Sequence, residues 1–308
     1  MSNALNSTIA GILFLLSASD AIMAATISVP NASFESPSFG GPNPNLNSWQ
    51  KTAKPDWYDD GGGSFLWSQL TGAFRNTTVG SSNYIDNCDG LQAMWLFAVP
   101  EVGLFQDYDS MDWNDPVPTH DFNANYEPGK SYHLTVGVIG TGGNMQQGVT
   151  LDLSLYYRDA LSNRIVITTT TLTNNYDVFS NNTHFVDCHV TIPIVKAGDA
   201  WAGQKIGIQF LSTVRTNLQG GYWDLDNVRL ASTLAPKIVN LVRTNGQFQF
   251  TLQSEPGLTF QIVASTNLTM PSSNWTSVGF ATNVTGAILF VDTSANFPQR
   301  FYQARQLP

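Results

Sequence analysis

The chain has 308 residues, 12% of them charged and 42% hydrophobic, a globular composition rather than a disordered one and long enough for two domains. Its 14 Lys and Arg against 23 Asp and Glu give a formal net charge of −9, so the basic stripe that nucleic-acid binding requires is missing. An acidic balance suits calcium or a neutral ligand, and equally plain solubility.

The first 25 residues read as a signal peptide, with an apolar run from Ile9 to Ala18 and small residues at Ala24 and Ala25. A run of about ten apolar residues is too short to span a bilayer. Met1 to Thr8 contains no Lys or Arg, so only the amino terminus supplies the expected positive charge. Nothing later approaches a membrane span, and the expected location is secreted, periplasmic or on the cell surface. Cys88 and Cys188 are the only cysteines. In such a compartment they could close a loop of about 100 residues, worth roughly 4 to 5 kcal/mol in the chain-entropy model. The alternative is two unpaired small side chains.

Ile27 to Pro37 is a short extended entry, followed by Gly/Pro/Asn loop chemistry from Ser38 to Asn47. Trp49 to Ser68 is aromatic and acidic and reads as a long ordered loop. Gly90 to Gln106 reads as two strands, and Tyr126-Glu-Pro-Gly129 as a turn feeding an alternating strand through Val138. Val149–Tyr157, Ile165–Leu172, Thr183–Ile192 and Lys205–Ser212 have strand length and strand composition. No stretch beyond the apolar run keeps a helical period. The expected class is all-β, a jelly-roll β-sandwich over 26–232, then a linker at 233–236 and a smaller β-sandwich at 237–308. At about 70 residues the second unit has a marginal core.

The closing stretch of the first domain, Tyr222-Trp-Asp-Leu-Asp226-Asn-Val228-Arg-Leu230, raises the question of function. Strict alternation places Tyr222, Asp224, Asp226, Val228 and Leu230 on one face. If Val228 and Leu230 point to the core, Asp226 does too, and an inward carboxylate must be paired, bound to a cation or protonated.

Three motifs in order, Asn31-Ala-Ser-Phe34-Glu35, Tyr126-Glu-Pro-Gly-Lys-Ser-Tyr132 and Trp223-Asp-Leu-Asp226-Asn-Val228, resemble the galactose-binding-like jelly rolls of the family 4 and 9 carbohydrate-binding modules. The same frame is similar to the calcium-dependent cyclases of hapalindole-type alkaloid biosynthesis. The tail resembles a small β-sandwich module of exported bacterial proteins. The first resemblance implies that Glu35 and Asp226 meet at a structural calcium ion, with Asn31 a further candidate ligand. Calcium takes six to eight hard oxygen ligands, which agrees with those residue types.

The acidic run Asp107 to Asp115 lacks the glycine and closing glutamate of an EF-hand and reads as a solvated loop. No histidine pair has zinc spacing, no glycine-flanked nucleophile elbow is present, and Gly140-Thr-Gly-Gly-Asn144 reads as a hairpin. Trp57, Tyr58, Trp113 and Trp223 are the candidate ligand platforms, on which apolar sugar faces stack, with core packing as the alternative; Trp95 reads as core. The leading expectation is a non-catalytic, calcium-stabilised protein that binds carbohydrate or another neutral ligand. A second is a cyclase or lyase using Asp224 or Asp226 as a protonated general acid among aromatics. A third is a structural or adhesive surface protein.

Overall fold

The computed structural model describes residues 25–62, 65–234, 236–244, 247–294, 297 and 299–307, together with the backbone of 14–17. The described residues form a larger unit, Thr26–Ser232, and a smaller one from Thr233 onward, with no α-helix in either. The expected signal peptide lies outside the described residues, apart from Ala25 and the strand Phe14–Ser17, which pairs in parallel with Phe301–Gln306.

The larger unit is a two-sheet β-sandwich. One sheet runs, in spatial order, Arg164–Thr173, Thr150–Arg158, Gly207–Ser212, Gly103–Gln106 and Gln50–Lys51. The other runs Val186–Ile192, Lys130–Gly142, Tyr222–Leu234, Gln92–Phe97 and Thr71–Arg75, with Ala25–Ile27 also paired to Tyr222–Leu234. Alternation selects the core: Leu134, Val136 and Val138 from one sheet face Leu151, Leu153, Leu155, Ile208 and Phe210 from the other. Trp49 stacks on Phe210 at 5.2 Å and meets Phe34 at 5.4 Å, tying the entry segment to that core. The smaller unit packs Phe248, Phe250, Leu252, Phe260, Ile262 and Tyr302 between sheets of three and four strands. The residues expected as a linker begin inside the strand Tyr222–Leu234.

The closing strand departs from strict alternation. Trp223, Leu225, Val228 and Leu230 all lie in the core, so the inward position changes parity between Leu225 and Val228. Asn227 sits there with φ 51°, a left-handed conformation that Asn tolerates better than β-branched residues do. One residue is thereby inserted into the strand, as in a β-bulge. Asp224 and Asp226 therefore share the face opposite the hydrophobic core, and the expected common face with Val228 and Leu230 is corrected.

Cys188 is buried in the core and Cys88 packs with the outer-face cluster of Ile85, Ala93, Ile139 and Phe185; both thiols are free. Asp107, expected in a solvated loop, is buried: Arg158 holds it through Nε and Nη2, each at 2.8 Å, and the Tyr156 hydroxyl donates to it at 2.5 Å. Among the described residues no helix is long and apolar enough to cross a membrane.

Candidate active site

The site is built on the outer face of the sheet that contains the closing strand. Across the strands, Tyr222 stands opposite Phe97, Asp224 opposite Trp95, and Trp95 opposite Gly72. A side chain at Gly72 would come within 2.5 Å of the Trp95 indole, so glycine leaves room for the ring to lie over the neighbouring strand. The indole Nε1 donates to the Gln69 carbonyl at 3.1 Å, which fixes the ring. Phe65 packs on Phe97 at 5.0 Å, and Phe97 on Tyr222 at 5.9 Å.

These rings line an open cleft of about 420 Å³, together with Pro42, Pro44 and Phe74. That size suits a small molecule. Asp224 is the one carboxyl that lines it among the described residues. Asp224 Oδ1 is buried without a hydrogen-bond partner, and burial pushes the carboxyl up to about 8. Burial thus favours the neutral, protonated form of this carboxyl. Tyr222 beside it is also raised, first by burial and then by the Asp224 charge.

Asp226, two residues on, is fully buried in different company. Its Oδ2 accepts from the Asp89 backbone N–H at 2.7 Å, while Oδ1 has no partner. Burial raises it to about 7 against the pull of the Asp89 and Asn227 backbone N–H groups. Glu35 reaches the same loop: its Oε1 accepts from the N–H groups of Leu91 at 2.7 Å and Gln92 at 2.6 Å. Ser33 donates to Asp89, and the Val228 N–H donates to the Ala32 carbonyl at 3.0 Å. Burial raises the Cys88 thiol, and the charges of Asp226, Glu35 and Asp89 raise it further. The opening turn, the 88–92 loop and the closing strand thus converge. No group of three or more His, Cys, Asp and Glu side chains among the described residues is arranged to hold a metal.

Residues 25–231 match the model of the HpiC1-like family, described as HpiC1 cyclase. The chain belongs to the HpiC1-like cyclase family. Solved structures similar to it include a cyclase from Fischerella sp. TAU, 21% identical, covering 70% of this chain and all of that one, with a TM-score of 0.48. Another is the Stig cyclase Fisc from the same organism, in complex with (3Z)-3-(1-methyl-2-pyrrolidinylidene)-3H-indole, 22% identical over 69% of this chain and 99% of that one, TM-score 0.47. A xylan-binding module, CBM15, is 12% identical over 64% of this chain and 98% of that one, TM-score 0.32. No curated protein matches the chain.

Membership in a cyclase family overturns the expectation of a non-catalytic carbohydrate-binding protein, and with it the structural or adhesive alternative. The aromatic residues chosen from the sequence are also not the ones that form the aromatic cavity. Trp223 is fully buried in the core, edge-on to Phe179 at 5.5 Å, and has no ligand-facing surface. Trp57 and Tyr58 pack edge-on with Trp67, at 6.2 and 5.0 Å, and Trp57 Nε1 donates to Glu101 at 3.0 Å. Trp113 is exposed and lines a separate cleft with Lys51 and Asp112. Of the expected metal ligands, Glu35 and Asp226 reach one loop, whereas the Asn31 amide is engaged elsewhere. Its Nδ2 donates to the Ser36 and Asn47 carbonyls at 2.8 and 2.9 Å, and its Oδ1 accepts from the Ser36 N–H at 2.9 Å.

Sequence reasoning missed Phe65, Phe74 and Phe97, and assigned Trp95 to the core. The strand Thr71–Arg75, which carries Gly72 and Phe74, is too short and mixed in composition to announce itself. The usable signal was Trp95 on a strand whose inward positions are already taken by Met94 and Leu96.

Proposed function

We propose that the larger unit is a cyclase or lyase for a small, neutral, unsaturated molecule, with Asp224 as its general acid. The observation that carries this reading is a single buried carboxyl, Asp224, lining a cavity otherwise walled mainly by aromatic rings, where burial raises it to about 8. The acid gives its proton to an unsaturated centre of the substrate, leaving a carboxylate and a carbocation. Trp95, Phe97 and Tyr222 line the cleft, and their ring quadrupoles would attract that cation by about 0.5–1 kcal/mol where solvent reaches it and about 2 kcal/mol where the bound substrate displaces water. Ring closure moves the positive charge within the substrate, and the Asp224 carboxylate takes a proton back, so the product is an isomer. General acids of this kind contribute about 10² to 10⁴-fold. Asp226 is less suited to the role, because backbone N–H groups favour its ionised form and it meets Cys88 and Asp89 rather than the rings.

Calcium is proposed at the convergence of Glu35 and Asp226. The unpartnered, buried Asp226 Oδ1 and the hard oxygens of both side chains suit it, with backbone carbonyls needed to complete its coordination. Bound there, the ion would supply positive charge that clamps the two ends of the larger unit together; Asn31 does not join the set. Export through an N-terminal signal remains part of the proposal.

The test offers an indole bearing a polyunsaturated side chain, in deuterated buffer, with product identified by mass spectrometry and NMR. Cyclised product carrying one deuterium is expected from the native protein. Asp224→Asn should lower turnover about 10² to 10⁴-fold, with the pH dependence of the native enzyme falling above about 8 as Asp224 ionises. Turnover unaffected by Asp224→Asn would sink the assignment.

A further inference from the structure

Asp224 meets a second cavity, of about 440 Å³, and Phe74 and Tyr222 line both. The remaining walls differ in kind. Those of the first are aromatic rings and prolines, apart from Gln69. The second carries the polar side chains of Arg75, Thr77, Asn83, Thr141, Asn144 and Asn182, beside two isoleucines, Ile85 and Ile139. No hydrogen bond or ion pair engages these six polar side chains among the described residues, so their donors and acceptors are open to solvent or to a bound molecule. An apolar group placed there would strip water from them without replacing its hydrogen bonds.

The wall is also strained where it meets the site. Thr141 holds φ 67°, a left-handed conformation that is an outlier for a β-branched residue and costs on the order of 1–2 kcal/mol. The next residue, Gly142, lies against the Tyr222 ring so closely that a Cβ would come within 2.5 Å of Cε2. The same tyrosine therefore walls the aromatic cavity and seats the turn that borders the polar one. Strain held in this way clusters at ligand-binding segments.

Resting on the aromatic cavity as the active site, we infer that the polar cavity is its head-group subsite. The substrate class is an unsaturated aromatic molecule bearing a hydroxyl or amide group: the rings fill the first cavity and the polar group enters the second. Asp224 stands where the two parts join. A site that hydrogen-bonds a polar group rejects an analogue lacking it more strongly than an apolar pocket rejects a missing methylene.

Calorimetric titration with two probes tests this. 3-Methylindole carries the ring alone, and indole-3-propionamide carries the ring with an amide. The amide probe is expected to bind the native chain about tenfold or more tightly, a difference of about 1.4 kcal/mol. The double variant Asn83→Leu/Asn182→Leu changes two exposed positions. It should remove that advantage and leave 3-methylindole unchanged. Equal binding of the two probes, or an advantage that survives the double variant, overturns the head-group subsite and leaves the aromatic site standing. If 3-methylindole fails to bind, or binds Trp95→Ala as well as it binds the native chain, the aromatic site itself is wrong and this inference falls with it.

Discussion

Asp224 and Asp226 occupy one face of one strand, two residues apart, and burial drives both toward the neutral form, yet their surroundings prepare them for different work. Around Asp224 there are rings and no hydrogen-bond donor to its Oδ1, so burial acts unopposed. Around Asp226 there are backbone N–H groups that favour the anion, a second carboxylate on the same loop, and an open oxygen. The comparison teaches that burial alone does not define a general acid. What distinguishes the two is whether the protein also stabilises the ionised form, and whether the group faces a space that a substrate can enter.

The largest expected contrast is in turnover. Asp224→Asn should lose about 10² to 10⁴-fold, whereas Asp226→Asn should keep turnover in calcium-free buffer within a few-fold of the native value. A second contrast is in the response to calcium. Filled a hundredfold above its dissociation constant, the site should add about 2.7 kcal/mol of stability to the native chain and to Asp224→Asn, and none to Asp226→Asn. Thermal unfolding with and without calcium reads this directly, and an equal calcium response in all three proteins would remove the proposed clamp.

A third prediction concerns the residue that puts both carboxylates on the outer face. Asn227→Val forces a β-branched side chain into a left-handed position and should cost about 1–2 kcal/mol in chemical denaturation, while Asn227→Gly should be close to neutral. Equal stability of the two variants would mean that the parity change does not depend on that conformation.

The smallest effect is the pH dependence of stability in calcium-free buffer. Both carboxyls hold protons in the folded protein up to about 7 and 8, while an unfolded aspartate releases its proton near 4. Between those limits the folded state binds more protons than the unfolded one, so stability falls as pH rises. The slope per carboxyl is on the order of 1 kcal/mol per pH unit. Asp224→Asn should flatten the segment between about pH 7 and 8, where Asp226 has already ionised, and a slope unchanged there would place the Asp224 titration elsewhere.

Much of the strand framework was legible in the chain because half-buried strands repeat every two residues, and Leu134, Val136 and Val138 or Leu151, Leu153 and Leu155 declare that period without help. The resemblance paired Glu35 with Asp226 at a calcium ion; the structure brings both side chains to the 88–92 loop, which no pattern in the chain pointed to. The active-site face was not legible either. Alternation is a rule about unbroken strands, and one left-handed Asn227 changes the parity between Leu225 and Val228, so Trp223 passes from candidate platform to core and the two aspartates to the opposite face of the sheet.

The sequence by itself determined an all-β sandwich pair, an acidic chain, and a closing motif whose carboxylates needed an explanation. Only the tertiary structure decided which aromatic rings surround which carboxylate. Phe65, Phe74, Trp95, Phe97 and Tyr222 come from four separate segments, and a pocket's polarity and the protonation of its acid depend on the sum of those neighbours. No local pattern contains that sum, because desolvation is a property of the space around a group and not of the residues beside it in the chain.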